Sequence, residues 1–330
     1  MIFERQKKAL VTGSLGLVGR STAERLLKEG YKVYGVDNNY RSVFFNMHER
    51  PEEIRHRNYK HLDMDIRGTR IVKELNFNFD VIVHCAAQPS HDLADKKPYL
   101  DFDINVRGTE NLLELFRINS PKATFIYLST TKVYPDTMNE FVEEEESRYT
   151  VNYLIDERTQ VFGHHGMFGV HKLMSDLLVQ EYGRHYNLMT IVLRPGCITG
   201  KAHRGTREHG FLSYLAKCFK ENTEYIINGY KGKQVRDQIH VEDLTDAIME
   251  IIKRPERNVY VIGGGLENSI SIQEAIEKLK YKFGKDLNYR FEEAREADHK
   301  WNVHDNSKLM KNYPDWKITR DLDYILNDLI

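Results

Sequence analysis

Residues Thr12-Gly-Ser-Leu-Gly-Leu-Val-Gly19 place three glycines between a short apolar run, Lys8 to Thr12, and a stretch, Arg20 to Glu29, in which Ala23, Leu26 and Leu27 recur at helical spacing. Strand, glycine turn and helix in that order leave few folds open. The first glycine permits a tight turn, and the second lets backbone approach a pyrophosphate. The third lets the helix pack closely on the strand, with its N-terminal amides facing the phosphates. The rhythm then repeats. Lys32 to Asp37, Tyr59 to Asp63, Asp80 to Ala86, Ala123 to Ser129 and Thr190 to Arg194 read as strands, with helices at Asn105 to Asn119 and Gly169 to Tyr186. Strands apolar along their length that alternate with amphipathic helices predict an α/β fold, a doubly wound Rossmann-type parallel sheet covered on both faces.

After about Pro195 the rhythm breaks into a helix at His209 to Cys218, a strand at Val259 to Gly263, a helix at Ser271 to Phe283 and a last helix at Asp321 to Leu329. The expected organisation is a dinucleotide-binding domain of residues 1–194 and 235–263 and a smaller, discontinuous C-terminal α/β substrate lobe of residues 195–234 and 264–330. The run Glu143 to Glu146 reads as a solvated loop. Composition narrows the partners. Forty-eight Lys and Arg against 49 Asp and Glu leave a net charge of -1 over 330 residues, so no global field recruits nucleic acid or an anionic membrane. An opening without an apolar leader and the lack of a ~20-residue apolar span predict a cytoplasmic protein. Cys85, Cys197 and Cys218 are too few and too scattered for a disulfide framework, and read as buried reduced thiols.

Asp37 ends the second strand eighteen positions after Gly19, where a carboxylate accepts both hydroxyls of an adenosine ribose. An acid there repels a 2′-phosphate, which favours NAD over NADP even with Arg41 close by. The loop residues Gly13, Leu15, Gly16, Leu17 and Gly19, with Asp37 and Asn38, are thus candidate cofactor contacts. Asp65 and Ile66 follow the third strand, where a carboxylate can accept the adenine amino group, and Ala86, Ala87 and Gln88 follow the fourth, where small residues let backbone lie against the dinucleotide.

The spacing GxxGxxG resembles that of the extended short-chain dehydrogenase/reductases, and the resemblance runs almost the whole length. Leu128-Ser-Thr-Thr-Lys-Val-Tyr134 matches the family's strand-end motif, whose Ser or Thr contacts the sugar hydroxyl being oxidised; the match falls on Thr130. Lys172 matches the lysine of the family's Tyr-x-x-x-Lys pair, but the tyrosine position holds Phe168. Three readings of Phe168 stand: a Tyr to Phe substitution made to trap a complex, a natural branch, and a non-catalytic relative. If chemistry persists, another group takes the hydroxyl proton, and Thr130, Lys172, His165, His171 and Tyr134 are the candidates. His164, His165 and His171 lack a carboxylate or cysteine partner at ligand spacing, so no metal is expected.

A narrower likeness, to the CDP-paratose (CDP-tyvelose) 2-epimerases, rests on Ala86 to Asp92, Ser129 to Tyr134, and Gly229 to His240. It implies a nucleotide-diphosphate sugar substrate, with Arg236 and Arg295 on the diphosphate, since each guanidinium can bind it through two parallel hydrogen bonds. Gln88, Ser90 and His91 would face the hexose ring and Thr206, His209 and Gly210 the nucleotide; Thr131, Lys132 and Asp298 complete the implied substrate set. Thr131 and Lys132 also stand where sugar-nucleotide 4,6-dehydratases carry an Asp-Glu pair, which disfavours elimination. The reaction implied is a transient oxidation by bound NAD at a ring carbon, C2 if the narrower likeness holds, in a homodimer or homotetramer. A net oxidoreductase and a silent nucleotide-sugar binder remain alternatives.

Overall fold

All seven apolar runs named as strands lie in one sheet. In the computed structural model, which describes residues 5–45 and 51–330, they are β1 (Lys8–Thr12), β2 (Lys32–Val36), β3 (Tyr59–Leu62), β4 (Val81–His84), β5 (Thr124–Leu128), β6 (Met189–Pro195) and β7 (Asn258–Ile262). The opening segment without an apolar run lies partly outside the described residues. Across the sheet the order is β7-β6-β5-β4-β1-β2-β3. Neighbours from β3 to β6 are parallel, with Lys8 beside Lys32, Ala9 beside Val81, Val81 beside Thr124 and Thr124 beside Met189. The chain lays β2 and β3 on one side of β1 and β4 to β7 on the other, so the order reverses at the β1–β4 pair. In open α/β sheets ligands bind outside the carboxyl ends of the strands at such a reversal.

Helix α1 (Leu17–Lys28) starts inside the glycine turn, at Leu17, and buries Gly19, Ala23, Leu26 and Leu27. The helix expected from Asn105 is entered earlier, through a short helix at Pro98–Phe102, widens into a π-helical turn at Asp103–Arg107 and is regular again over Gly108–Asn119. The cause is local: Asn105 is turned inward, where Oδ1 accepts from Gln88 N and Nδ2 donates to Gln88 O and Asp101 Oδ1. A widened turn is a common device for aiming one side chain out of a helical ladder. A long helix runs over Gly166–His185.

The chain divides into two compact units: Met1–Ser129, Val170–Leu193 and Thr245–Val259 in the first, and Thr130–Gly169, Arg194–Leu244 and Tyr260–Ile330 in the second. Leu10, Ile82, Phe125, Leu112, Phe116 and Val192 centre the first core. In the second, the helices Phe211–Glu221, Ile272–Phe283 and Leu322–Asp328 bury Leu215, Phe219, Ile276, Leu279 and Ile325 together. Ser271 and Glu274 form a reciprocal capping box at the start of the middle one. Strand Val235–His240, which carries Arg236 and Asp237, pairs with Ser269–Ser271, Trp301–Asn302 and Cys197–Thr199. The acidic run is only partly a loop, because Glu143–Glu144 pairs antiparallel with Tyr149–Thr150. Lys231 and Lys233 reach the Glu144 carboxylate at 3.3 and 2.8 Å and offset the repulsion within the run. Among the described residues no helix is long and apolar enough to cross a membrane.

Candidate active site

The glycine turn is built so tightly that side chains are excluded from it. Gly13 has φ +68°, and a Cβ there would stand 2.8 Å from Ala86 N, while a Cβ on Gly19 would stand 2.1 Å from Gly13 O. Asp37 clamps the turn from the end of β2: Oδ2 accepts from Leu15 N at 3.0 Å and Oδ1 from Asn39 N at 2.7 Å. Each carboxylate oxygen keeps a second lone pair for a hydroxyl donor. Asp65 is less free than its position after β3 suggests. Burial alone would raise its carboxyl, but Arg67 and Asn38 outweigh that and hold it low, so an adenine contact there competes with an ion pair. Ile66 packs against the bare Gly108 and is held through its carbonyl by Asn111.

The carboxyl end of β4 is fixed by a chain of buried polar groups. Thr109 Oγ1 donates to Asn105 O, so it accepts from His84 Nε2; His84 Nδ1 then accepts from Thr12 Oγ1, and Thr12 in turn accepts from Ala86 N. Burial pushes His84 down to about 3, which keeps it neutral and the order of donors single-valued. Gln88 corrects an expectation. Its side chain is 0% exposed, and its amide donates to Ser90 O and Asp101 Oδ1, so it holds the loop and does not face a sugar ring. Ser90 caps the helix His91–Lys96 by accepting from Leu93 N, and His91 opens that helix half-buried. Burial also pushes Cys85 up to about 12 and Cys197 to about 11, which removes thiolate chemistry near neutral pH.

Lys172 is 3% exposed, donates to Leu128 O at 2.8 Å and lies 4.3 Å from the Tyr127 ring centroid. Burial pushes its ammonium down to about 8 against the opposing pull of Asp176, Asp101 and Cys85. Phe168 stands one turn earlier on the same helix, 7% exposed. Among the proposed substitutes for a phenol, Tyr134 has its hydroxyl committed elsewhere, and His171 has one ring nitrogen held by a carboxylate. His171 Nδ1 donates to Asp101 Oδ2 at 2.6 Å, and the Tyr134 hydroxyl donates to Asp156 O and accepts from Arg194. Thr130 is half-buried at the start of the turn Thr131–Val133, and its Oγ1 accepts from Lys132 N.

In the second unit Lys132 Nζ and Arg236 Nη2 reach one oxygen of Asp298, at 3.0 and 2.8 Å, with all three side chains under 20% exposed. Burial would raise the Asp298 carboxyl, but the two cations hold it well below the usual carboxylate range. Lys132 is lowered by burial and by Arg236 despite Asp298, because two cations share one counter-charge. The cluster carries one positive charge too many, which suits it to an anion. Arg295 donates through Nη2 to Arg207 O at 2.8 Å. Thr131 departs from expectation as Gln88 does: it donates to Asn302 Oδ1 and stands 2.9 Å from His304 Nε2, whose Nδ1 lies 2.9 Å from Asp237 Oδ1. That hydroxyl, imidazole and carboxylate row is buried, with Thr131 7% exposed. Thr206 Oγ1 is buried without a partner among the described residues, and Gly210, φ +82°, closes the same turn with His209 paired to Thr206 through backbone.

Residues 9–263 match the family model described as "NAD dependent epimerase/dehydratase family". The chain belongs to that family. It is 30% identical to the CDP-paratose 2-epimerase of Salmonella typhi, over 94% of each chain, and 27% identical to the UDP-glucuronate 4-epimerase of Thermodesulfobacterium geofontis, over 92% of this chain and 88% of the other. Among solved structures, the UDP-glucuronic acid 4-epimerase of Bacillus cereus, in complex with UDP-glucuronic acid and NAD, superposes with a TM-score of 0.79 at 24% identity over 97% of each chain. At that identity the likeness speaks for the fold. The family's cofactor, NAD, fits the residues in place, because the turn packs too closely at Gly13 and Gly19 to admit any Cβ, which leaves its backbone bare at the start of α1, and Asp37 keeps acceptors for a ribose. Bound there, NAD supplies a reversible hydride acceptor; Lys172, the Gly13 to Gly19 amides and Asp37 are the groups of this chain that would hold it.

Replacing Asp37 by alanine removes both the ribose acceptor and the clamp on Leu15. The expected result is NAD binding weakened about ten- to a hundredfold, with NADP weakened less because a repelling charge is gone. Fluorescence titration with the two reduced cofactors checks this. An unchanged ratio of the two affinities would remove Asp37 from the ribose site.

Proposed function

We propose that the protein is a nucleotide-sugar epimerase that oxidises and re-reduces a ring hydroxyl, C2 of a CDP- or GDP-linked hexose, with NAD retained between turnovers. The observation that carries this reading is the 30% identity over 94% of each chain to a CDP-paratose 2-epimerase. The Lys132, Arg236 and Asp298 cluster supports it, since a surplus buried cation is stabilised by a diphosphate or a phosphate oxygen. The diphosphate is assigned to Arg236 and Arg295, and the nucleotide to Thr206, His209 and Gly210, where the orphaned Thr206 hydroxyl offers a donor. Thr130 and Lys172 are the proposed catalytic contacts. Phe168 favours a second reading, a nucleotide-sugar binder without turnover.

On the helix Gly166–His185, the apolar residues Val170, Met174 and Leu177 are 38%, 39% and 50% exposed at spacings of four and three, a stripe that supports a homodimer or homotetramer. A cytoplasmic enzyme acting on activated sugars for surface polysaccharide completes the reading.

Incubation with CDP-paratose and with CDP- and GDP-hexoses in deuterated water, followed by proton NMR, tests it. The expected result is a second sugar nucleotide epimeric at C2 that carries no deuterium at that carbon, because the hydride returns from the cofactor. NADH accumulating with a keto sugar would show the net oxidoreductase. Binding without any new sugar would show the silent relative.

A further inference from the structure

His304 is 0% exposed, and each of its ring nitrogens lies 2.9 Å from an oxygen, Nδ1 from Asp237 Oδ1 and Nε2 from Thr131 Oγ1. Two glycines make room for the pair. A Cβ on Gly196 would stand 2.6 Å from Asp237 Oδ1 and 2.8 Å from His304 Nδ1, and a Cβ on Gly263 would stand 2.7 Å from the same nitrogen. Asp237 Oδ2 accepts from the amides of Gly265 and His304 at 2.9 and 3.1 Å. Donors thus meet both oxygens of Asp237, which favours the ionised carboxylate.

The protons of this row can be counted from its far end. Nε2 of His299 lies 3.1 Å from Tyr134 O and donates to it, because a carbonyl oxygen only accepts. Burial, with Lys132 and Arg236 nearby, holds His299 well below the ordinary histidine value, so its ring is neutral and its Nδ1 accepts from Asn302 Nδ2. That turns Asn302 Oδ1 toward Thr131, whose hydroxyl gives its one hydrogen there, at 3.0 Å. Only lone pairs of Thr131 then face His304, so Nε2 donates to them. A carboxylate likewise only accepts, so Nδ1 donates to Asp237. Both nitrogens of His304 therefore carry a proton. Every residue in the row belongs to the second unit.

We propose that His304 is an imidazolium paired with Asp237 and is a positioning residue for the turn Thr131–Val133. The role rests on the epimerase reading, because Thr130, the proposed sugar contact, enters that turn, and Lys132, which shares Asp298 with Arg236, lies in it. Without the second proton on His304, Thr131 would stand between two acceptors with one hydrogen. Either its bond to Asn302 or its bond to His304 would then be lost, and with it one of the two ties on the turn. A buried ion pair persists where its remaining protons and lone pairs have partners, and here Nε2 has Thr131 and Oδ2 has two amides.

The test pairs spectroscopy with exchange and kinetics. In protein labelled with ¹⁵N-histidine, both nitrogens of His304 should give protonated signals at pH 7, assigned by their loss in His304→Gln. Thr131→Val keeps the shape of the side chain and removes the acceptor, so Nε2 should become unprotonated, whereas Thr131→Ser should keep both protons. In His304→Gln the amide of Tyr134, which donates to Thr131 O, should exchange with solvent at least about tenfold faster while the helix Ile272–Phe283 is unchanged. A histidine that only filled the core would loosen both alike. With CDP-paratose, kcat of His304→Gln is expected to fall about 10- to 100-fold, with NAD affinity changed less than about twofold. A neutral His304 in the wild-type protein, or both protons retained in Thr131→Val, would overturn the proposal. Equal loosening of turn and helix, or kcat of His304→Gln within about threefold of wild type, would overturn the positioning role and leave the epimerase reading intact. If the wild-type protein turns over no CDP- or GDP-hexose, the epimerase reading falls, and the NMR and exchange measurements still decide whether a charged His304 holds the turn.

Discussion

Gly19→Val is expected to abolish measurable NAD binding and to destabilise the fold. The cause is geometric, because the first carbon of any side chain at 19 would stand 2.1 Å from Gly13 O and 2.6 Å from Gly13 C, and neither backbone atom can swing aside like a side chain. To make room, the turn must move away from α1, which carries its amides out of reach of a pyrophosphate. Losing two charge-assisted backbone contacts, at ~1.5–3 kcal/mol each, weakens NAD by at least about 100-fold. The steric conflict itself adds a loss of stability of about 1–3 kcal/mol. Calorimetric titration with NAD and denaturant unfolding measure the two separately. Gly68→Ala is the control, since its new methyl would meet only Asp65 O at 3.7 Å. Gly19→Val retaining NAD within a few-fold of wild type would mean that the cofactor is not seated on this turn.

Asp298→Ala is expected to be as damaging for an electrostatic reason. It leaves Lys132 and Arg236, 11% and 12% exposed at the side chain, without the carboxylate that both now share. Breaking a buried pair by removing one partner typically costs about 3–5 kcal/mol. Lys132→Met, by contrast, removes the surplus cation and leaves Arg236 and Asp298 balanced, so it should cost far less. The pH dependence follows from the depressed Asp298 carboxyl. The unfolded chain takes up a proton near the ordinary value of 3.8 and the native protein does not, so this stability is present above about pH 4 and is lost as the pH falls below it. Denaturant unfolding of wild type and both variants between pH 3 and 7 checks the order and the slope. Equal losses for Asp298→Ala and Lys132→Met, or parallel pH curves, would mean that the cluster is solvated and carries little energy.

The parts of this molecule that can be read from sequence are those whose partners lie close along the chain. Strand β1 is bounded where its apolar run is bounded, and Ser271 and Asp321, which open helical patterns in the sequence, stand as caps in the structure. Gly13, Gly16, Gly19 and Asp37 belong to one strand, turn, helix and strand unit, so their place in it follows from spacing. Phe168 and Lys172 are one helical turn apart, so their place on one helix is legible without coordinates. The inward-facing polar groups are not. Gln88 and Thr131 follow strand ends, as ligand contacts commonly do, and nothing near them in the chain announces that Asp101 or His304 will capture their side chains.

What the sequence alone determined is therefore the sheet, the glycine turn and the family, because each depends on periodicity or on residues within a few turns of one another. The tertiary structure decided which polar groups are consumed and which are left available. Lys132 meets Asp298 across 166 positions and His304 meets Thr131 across 173, and only folding brings such pairs together. For the same reason His165, one histidine among fourteen in the sequence, stands out only once burial and the carbonyl of Val161 leave Nδ1 without a partner among the described residues.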